Sequence, residues 1–81
     1  MTLPEYAVVL TFATSYALRA EKILNQAGIE SKLIPVPRHL SSDCGVCVRI
    51  LNKDIDRTRQ LLHENHCEFE GIYPLPPGDR G

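Results

Sequence analysis

The chain has 81 residues, of which 43% are hydrophobic, and a chain of this length suits one small domain. Its formal net charge of −1 argues against a general nucleic-acid binder, which would need a basic face. The sequence has no long apolar run and no basic leader ahead of an apolar stretch, so we expect neither a membrane span nor a signal peptide. The expected compartment is a reducing cytoplasm, in which three cysteines do not form a stable disulfide framework.

The first third of the chain predicts a strand followed by a helix. Residues 5–13 (EYAVVLTFA) are almost continuously apolar and rich in β-forming residues, which indicates a central strand. Thr14 or Ser15 is expected to cap the helix that follows. Gly28 is expected to end that helix in the left-handed conformation. Between these limits, apolar residues recur at helical spacing at Ala17, Ala20, Leu24 and Ala27, with Ile23 beside them.

The middle of the chain predicts two strands joined by a polar loop. Residues 31–36 carry the apolar members of the first, and Pro35 and Pro37 favour an edge position, because proline has no amide hydrogen to donate. Residues 38–43 form the loop. Residues 45–51 (GVCVRIL) predict a buried strand. Its side chains alternate, so that Val46, Val48 and Ile50 share one face and Cys47, Arg49 and Leu51 share the other.

The last third predicts a second helix and a final strand. Asn52 is expected to cap the helix, with acidic Asp54 and Asp56 favourable in its first turn. Residues 68–73 predict the last strand. The apolar stripe of the helix consists of Ile55, Leu61 and Leu62.

The resulting order, β-α-β-β-α-β, predicts an α+β protein with a ferredoxin-like sandwich, in which an antiparallel sheet carries two helices on one face. Residues 1–75 are expected to form this single domain. Residues 76–81 are rich in proline and glycine and are expected to be a flexible tail. A core this small leaves a homodimer open as a way to add stability.

Cys44 is the candidate reactive residue, because it lies between a polar loop and a glycine with cationic side chains on both flanks. The thiolate is the reactive form of cysteine, and nearby donors and cations stabilise it. Asp43 would act in the opposite direction, because a neighbouring carboxylate raises the pKa of a thiol. An exposed, deprotonated Cys44 is therefore expected, with anion-stabilising contacts from Arg38, His39, Ser41, Ser42, the amides near Gly45, and Arg49.

Three other interpretations of the cysteines stay open. Cys44 could be a buried structural residue. Cys44 and Cys47 form a C-x-x-C pattern, which makes Cys47 the candidate for a second thiol of a redox pair, although i and i+3 point to opposite faces of a strand. A zinc site would need a second ligand pair, and only the adjacent His66 and Cys67 offer one, so no metal is predicted. His63 is expected to be solvated near the end of the second helix.

The chain resembles the selenium/sulfur carrier-like family of short bacterial proteins over roughly residues 5 to 75. The resemblance lies in a helix, an Ile-Pro-x-Pro-Arg segment, a serine-rich loop and a Cys-Gly pair. The residues that carry it are Thr14, Ala17, Ala20-Glu21-Lys22, Leu24, Ala27-Gly28-Ile29, Leu33-Ile34-Pro35-Val36-Pro37-Arg38, Ser41-Ser42, Cys44-Gly45 and Arg49. It implies that Cys44 carries sulfur or selenium as a persulfide or perselenide, received from a donor protein and passed to an acceptor protein.

The leading hypothesis is therefore a carrier rather than a true enzyme, in which Arg38, Arg49 and the Ser41-Ser42 loop stabilise the adduct and help dock the donor. The chain has no nucleotide-phosphate loop, no obvious acid pair and no catalytic triad, so no cofactor is predicted. The alternative is a non-enzymatic interaction or regulatory module, in which Cys44 is structural and a sheet face or edge strand binds a partner.

Overall fold

The computed structural model describes residues 5–40 and 44–76 of the chain. Within them, strands and helices follow the predicted order, and one short turn of 3₁₀-helix, Asn52–Asp54, precedes the second helix. The elements are β1 (Tyr6–Leu10), α1 (Thr14–Gln26), β2 (Ser31–Pro35), β3 (Val46–Leu51), α2 (Ile55–Glu64) and β4 (Gly71–Pro74).

The strands form one antiparallel sheet in the order β2-β3-β1-β4. β2 lies at an edge, as its prolines predicted, and β1 and β3 are central. β3 separates β1 from β2, and β1 separates β3 from β4, so that each strand-helix-strand unit is split by a strand of the other. The predicted α+β class, with an antiparallel sheet and two helices, is confirmed.

Both helices contribute to one apolar cluster on the same face of the sheet. Leu62 is its buried member from α2, and Ile55 and Leu61 pack against it, so the predicted stripe of α2 is confirmed. The buried residues of this cluster are Ala7, Val9, Ala17, Ala20, Leu24, Ile29, Val48, Ile50, Leu62 and Cys67. The opposite face carries a second, smaller cluster, formed by Val8, Leu10, Ile34, Cys47 and Leu75. The predicted alternation of β3 between the two faces is therefore confirmed.

Two predicted strands have different limits in the structure. β1 ends at Leu10 rather than at residue 13, because the chain turns at Thr11, whose hydroxyl donates to the Ala13 carbonyl oxygen at 3.0 Å. The last strand begins at Gly71 rather than at residue 68. α2 ends in a tight turn with His66 at φ 54°, and the segment after it must cross to the sheet edge before it can pair with β1.

The helix ends are partly as predicted. Gly28 has φ 80° and ends α1, with its amide donating to Asn25 and the Ile29 amide donating to Leu24, the pattern of a Schellman motif. The predicted N-caps were wrong. Thr14 is already the first residue of α1, after Ala13, and Asn52 belongs to the 3₁₀ turn rather than capping α2.

The end of the described chain packs on the second face of the sheet. Leu75 is buried there, and its amide donates to the Tyr6 carbonyl oxygen at 2.8 Å. The remainder of the predicted tail, from residue 77 onward, lies outside the described residues. In residues 5–40 and 44–76, neither helix is long and apolar enough to cross a membrane.

Candidate functional site

Cys44 lies at one end of the sheet, where β1 ends and α1 begins. It comes shortly before β3, and β3 runs antiparallel to β1, so the start of β3 lies beside the end of β1. The Cys44 Sγ atom is 3.8 Å from the Thr11 Oγ1 atom and 3.8 Å from the Thr14 Oγ1 atom. The fold thus brings two hydroxyl groups to the thiol from about 30 residues away in the chain.

The groups around the thiol are hydrogen-bond donors suited to an anion. The backbone amide of Val46 also hydrogen-bonds the sulfur. The buried Thr11 hydroxyl has one hydrogen and two acceptors within reach, the Ala13 carbonyl oxygen at 3.0 Å and the Cys44 sulfur at 3.8 Å. Thr14 begins α1, and the partial positive charge at a helix N-terminus stabilises a thiolate.

Opposing effects set the ionisation of Cys44. Burial of the sulfur raises its pKa, whereas the hydrogen bonds from the Val46 amide and from the hydroxyls of Thr11 and Thr14 lower it. The negative charge of Glu70 also raises it. The three donors prevail, so the pKa of Cys44 lies below its ordinary value and the thiolate is favoured.

The expectation of an exposed Cys44 was wrong. The residue is only 4% exposed, because the end of β1 and the start of α1 lie against its sulfur. Any reaction at this sulfur therefore requires a local displacement of the groups that cover it.

The predicted cations are not among the groups that shift the pKa of Cys44 in the described part of the chain. Arg38 and His39 lie in an exposed turn, which the Leu40 amide closes on the Pro37 carbonyl oxygen at 3.0 Å. The Arg49 guanidinium lies 4.3 Å from the centre of the Tyr6 ring. Arg49 pairs with Val8, three residues before Thr11, and its guanidinium extends to Tyr6 at the start of β1.

The other predicted contacts precede β3 in the sequence. Ser41 and Ser42 are outside the described residues, as is Asp43. Gly45 is exposed, and its carbonyl oxygen accepts a hydrogen bond from the Val36 amide at 3.3 Å. A Cβ atom added at Gly45 would meet nothing within 4 Å, so packing in the described residues does not by itself require a glycine there.

The other two cysteines are core residues, and no disulfide joins any of the three. Cys47 is fully buried on the opposite face of the sheet from the helices, with its Sγ atom 3.9 Å from the Pro35 carbonyl oxygen. Cys67 is 3% exposed in the helix-side cluster, with its Sγ atom 3.8 Å from the Tyr16 carbonyl oxygen. Both side chains therefore pack in the interior, on opposite faces of the sheet.

Cys47 is expected to make the folded protein less stable at alkaline pH. Burial, with a smaller effect of the Cys44 charge, raises the pKa of Cys47 from 9.0 to about 11. The folded state then holds a proton that the unfolded chain releases, so stability is complete below pH 9 and falls as the pH rises toward 11. Between about pH 8 and about pH 10 this thiol should remove roughly 1 kcal/mol of unfolding free energy.

Urea unfolding of the wild type and Cys47→Ala at several pH values would test that prediction. The variant has a smaller side chain and should be less stable at neutral pH, but its free energy of unfolding should fall less steeply above pH 9. Other groups titrate equally in both proteins, so parallel curves would contradict the role given to Cys47.

Sequence reasoning missed the residues that face the sulfur, namely Thr11, Thr14 and the amide of Val46. One signal was present in the sequence, since Thr11 is a hydroxyl residue inside the otherwise apolar run of residues 7–13. A buried hydroxyl needs a hydrogen-bonding partner, but the sequence gives no sign that the partner is 33 residues away.

The fold and site together define a small α+β domain in which the sulfur of Cys44 lies beside the start of α1 and its thiolate form is favoured. The chain belongs to the family described as "Putative Se/S carrier protein-like", whose family model matches residues 6–74 and so covers most of the chain. No curated protein and no solved structure matches the chain significantly. The resemblance seen in the sequence is thus confirmed at the level of the family.

Proposed function

We propose that the protein carries a sulfur or selenium atom on Cys44 and passes it to an acceptor protein. The Cys44 thiolate attacks the terminal sulfur of a donor persulfide, R–S–SH. A new S–S bond forms to Cys44, the S–S bond of the donor breaks, and the donor leaves with the electron pair as the thiolate R–S⁻. Cys44 then holds the cargo as Cys44–S–SH, and an acceptor thiolate removes it by the same exchange.

The observation that carries this proposal is the set of donors around one sulfur. The Val46 amide and the hydroxyls of Thr11 and Thr14 all favour the thiolate, which is the form that attacks. Cys47 and Cys67 lie in environments that raise the pKa of each thiol. Membership of the carrier-like family supports the same assignment.

The burial of Cys44 places a condition on this chemistry. An S–S bond is about 2 Å long, so the cargo atom would lie about 2 Å beyond the sulfur of a residue that is only 4% exposed. The proposal requires the covering groups to move when a donor arrives. It assigns contact with the donor to Arg38, Ser41, Ser42 and Gly45, and assigns none to Arg49, which lies over Tyr6.

The wider setting is part of the same proposal. A donor protein and an acceptor protein are needed, and the reducing cytoplasm would keep the three thiols available. We also infer a ferredoxin-like sandwich as the scaffold. The split arrangement of the two strand-helix-strand units and the packing of both helices on one face support that assignment.

The near-complete burial of Cys44 favours a second candidate, a non-enzymatic interaction module in which the cysteine is structural. In that case Cys44→Ala would lower stability and leave partner binding intact.

Intact-mass measurement after incubation with glutathione persulfide distinguishes the two candidates. The carrier should gain one sulfur atom, and peptide mapping should place it on Cys44. Cys44→Ser should lose the gain, whereas Cys47→Ser and Cys67→Ser should retain it. Circular dichroism should show each variant folded. Equal labelling of all three cysteines, or continued labelling of Cys44→Ser, would refute the carrier function.

A further inference from the structure

A groove of about 590 Å³ lies at the C-terminal end of α2, between that helix and the loop after β1. Phe12, His63, His66, Glu68 and Phe69 are among its lining residues. Resting on the carrier function proposed above, we infer that this groove binds a segment of the sulfur-donor protein that presents an apolar side chain flanked by lysine or arginine.

The groove offers an apolar anchor point at the surface. Phe12 is 56% exposed, whereas Phe69 is half-buried and packs against the helix-side core. Exposed aromatic side chains beside a cleft are typical of protein interaction sites, where they supply much of the binding energy. The volume lies within the range of clefts that bind compact ligands, so it fits a short segment rather than a whole domain face.

The charges around the groove favour a basic segment. Glu68 lines it, and Glu64, next to the lining residue His63, is exposed at the end of α2. A nearby cation is Arg19, whose guanidinium donates to the Asn65 carbonyl oxygen at 2.7 Å and so faces the negative end of the α2 dipole. A lysine or arginine on the partner would complement the charge of Glu68 and speed the encounter.

Two residues that line the groove are next in the chain to residues that act on Cys44. Phe12 directly follows Thr11, and Thr14 comes two residues later; both threonines contact the Cys44 sulfur. On the other side, Phe69 precedes Glu70, whose charge acts on the same thiol. Adjacent Cα atoms are about 3.8 Å apart, so a segment seated on Phe12 would lie roughly 10 Å from that sulfur. Docking there would bring a donor persulfide to the segment that covers Cys44.

Fluorescence anisotropy with synthetic peptides tests the inference apart from sulfur transfer. The probe is a labelled peptide with a central leucine, flanking lysines and an S-methylcysteine, which cannot react; the control peptide has glutamates in place of the lysines. We expect the basic peptide to bind at least about tenfold more tightly at low salt, with the advantage shrinking at high salt.

Matched variants locate the binding. Phe12→Ala should weaken binding of the basic peptide by about tenfold. Leu18→Ala is the control, because Leu18 is similarly exposed, at 52%, but does not line the groove; it should change the affinity by less than about twofold. Glu68→Lys should weaken the basic peptide and strengthen the acidic one.

The outcomes separate this inference from the carrier function. Equal binding of the two peptides, or equal effects of Phe12→Ala and Leu18→Ala, would overturn the docking site. Concentration-dependent dimerisation of the wild type that Phe12→Ala abolishes would show instead that a second copy of the chain occupies the groove. If glutathione persulfide labels all three cysteines equally, or still labels Cys44→Ser, while the basic peptide binds as expected, the carrier function fails and the binding groove stands.

Discussion

Replacing Leu24 with alanine is expected to lower the free energy of unfolding by about 2 to 5 kcal/mol, the usual range for a fully buried leucine. Leu24 is among the largest fully buried side chains, at 0% exposed, and it joins α1 to both central strands through the helix-side cluster. The loss combines the transfer free energy of the deleted methyl groups with the cavity that they leave. A domain of this size has a small free energy of unfolding, so the variant should be largely unfolded at 37 °C.

Leu18→Ala provides the matched control for that prediction. It makes the same chemical change in the same helix, at a position that is 52% exposed. Alanine also has the higher helix propensity, so the change in unfolding free energy should lie within about 0.5 kcal/mol. Urea denaturation of both variants measures the difference. Similar losses in the two would show that α1 is not held by the core as described.

The elements could be predicted largely because each has a local cause. The apolar run of β1, the prolines of β2 and the glycine that ends α1 act through their own backbone or their immediate neighbours. The first and last residues of the strands and helices were harder to predict from the sequence because they depend on long-range contacts. Thr14 has the chemistry of an N-cap, but its hydroxyl contacts Cys44 in the structure, 30 residues away.

In the candidate site, too, the sequence identified the central residue but not the contacts made across the fold. Cys44 could be singled out from its loop and glycine, but proximity in the chain did not predict the threonines that contact its sulfur. Arg49 is only five residues from Cys44, but β3 is extended, so Arg49 pairs with Val8 in the middle of β1 and its guanidinium lies over the Tyr6 ring. The donors that do reach the sulfur come from the end of β1 and the start of α1. Charge along the sequence suggested cations, whereas the fold supplies neutral hydroxyl and amide donors.

The second large effect is expected from the double substitution Thr11→Val and Thr14→Val. Valine keeps the shape of threonine but removes the hydroxyl, so the Cys44 thiolate would keep only the Val46 amide of its three donors. The pKa of Cys44 should rise, because each lost hydrogen bond to the anion costs about 1 kcal/mol, or about a fivefold change in the ionisation equilibrium. Together the two losses should lower the thiolate fraction at neutral pH by more than tenfold.

The rate of iodoacetamide alkylation as a function of pH, with peptide mapping at Cys44, measures this effect. The midpoint of the profile should move to higher pH, while the plateau rate should rise, because a more basic thiolate is a stronger nucleophile. These two changes together distinguish loss of anion stabilisation from a change in the access of the reagent to Cys44. A change in access would multiply the rate by the same factor at every pH and leave the midpoint where it is. The double variant Thr11→Ser and Thr14→Ser keeps both hydroxyls and should retain the wild-type midpoint. If the serine variant shifts as far as the valine variant, the hydroxyls do not stabilise the thiolate, and the basis for assigning transfer chemistry to Cys44 is lost.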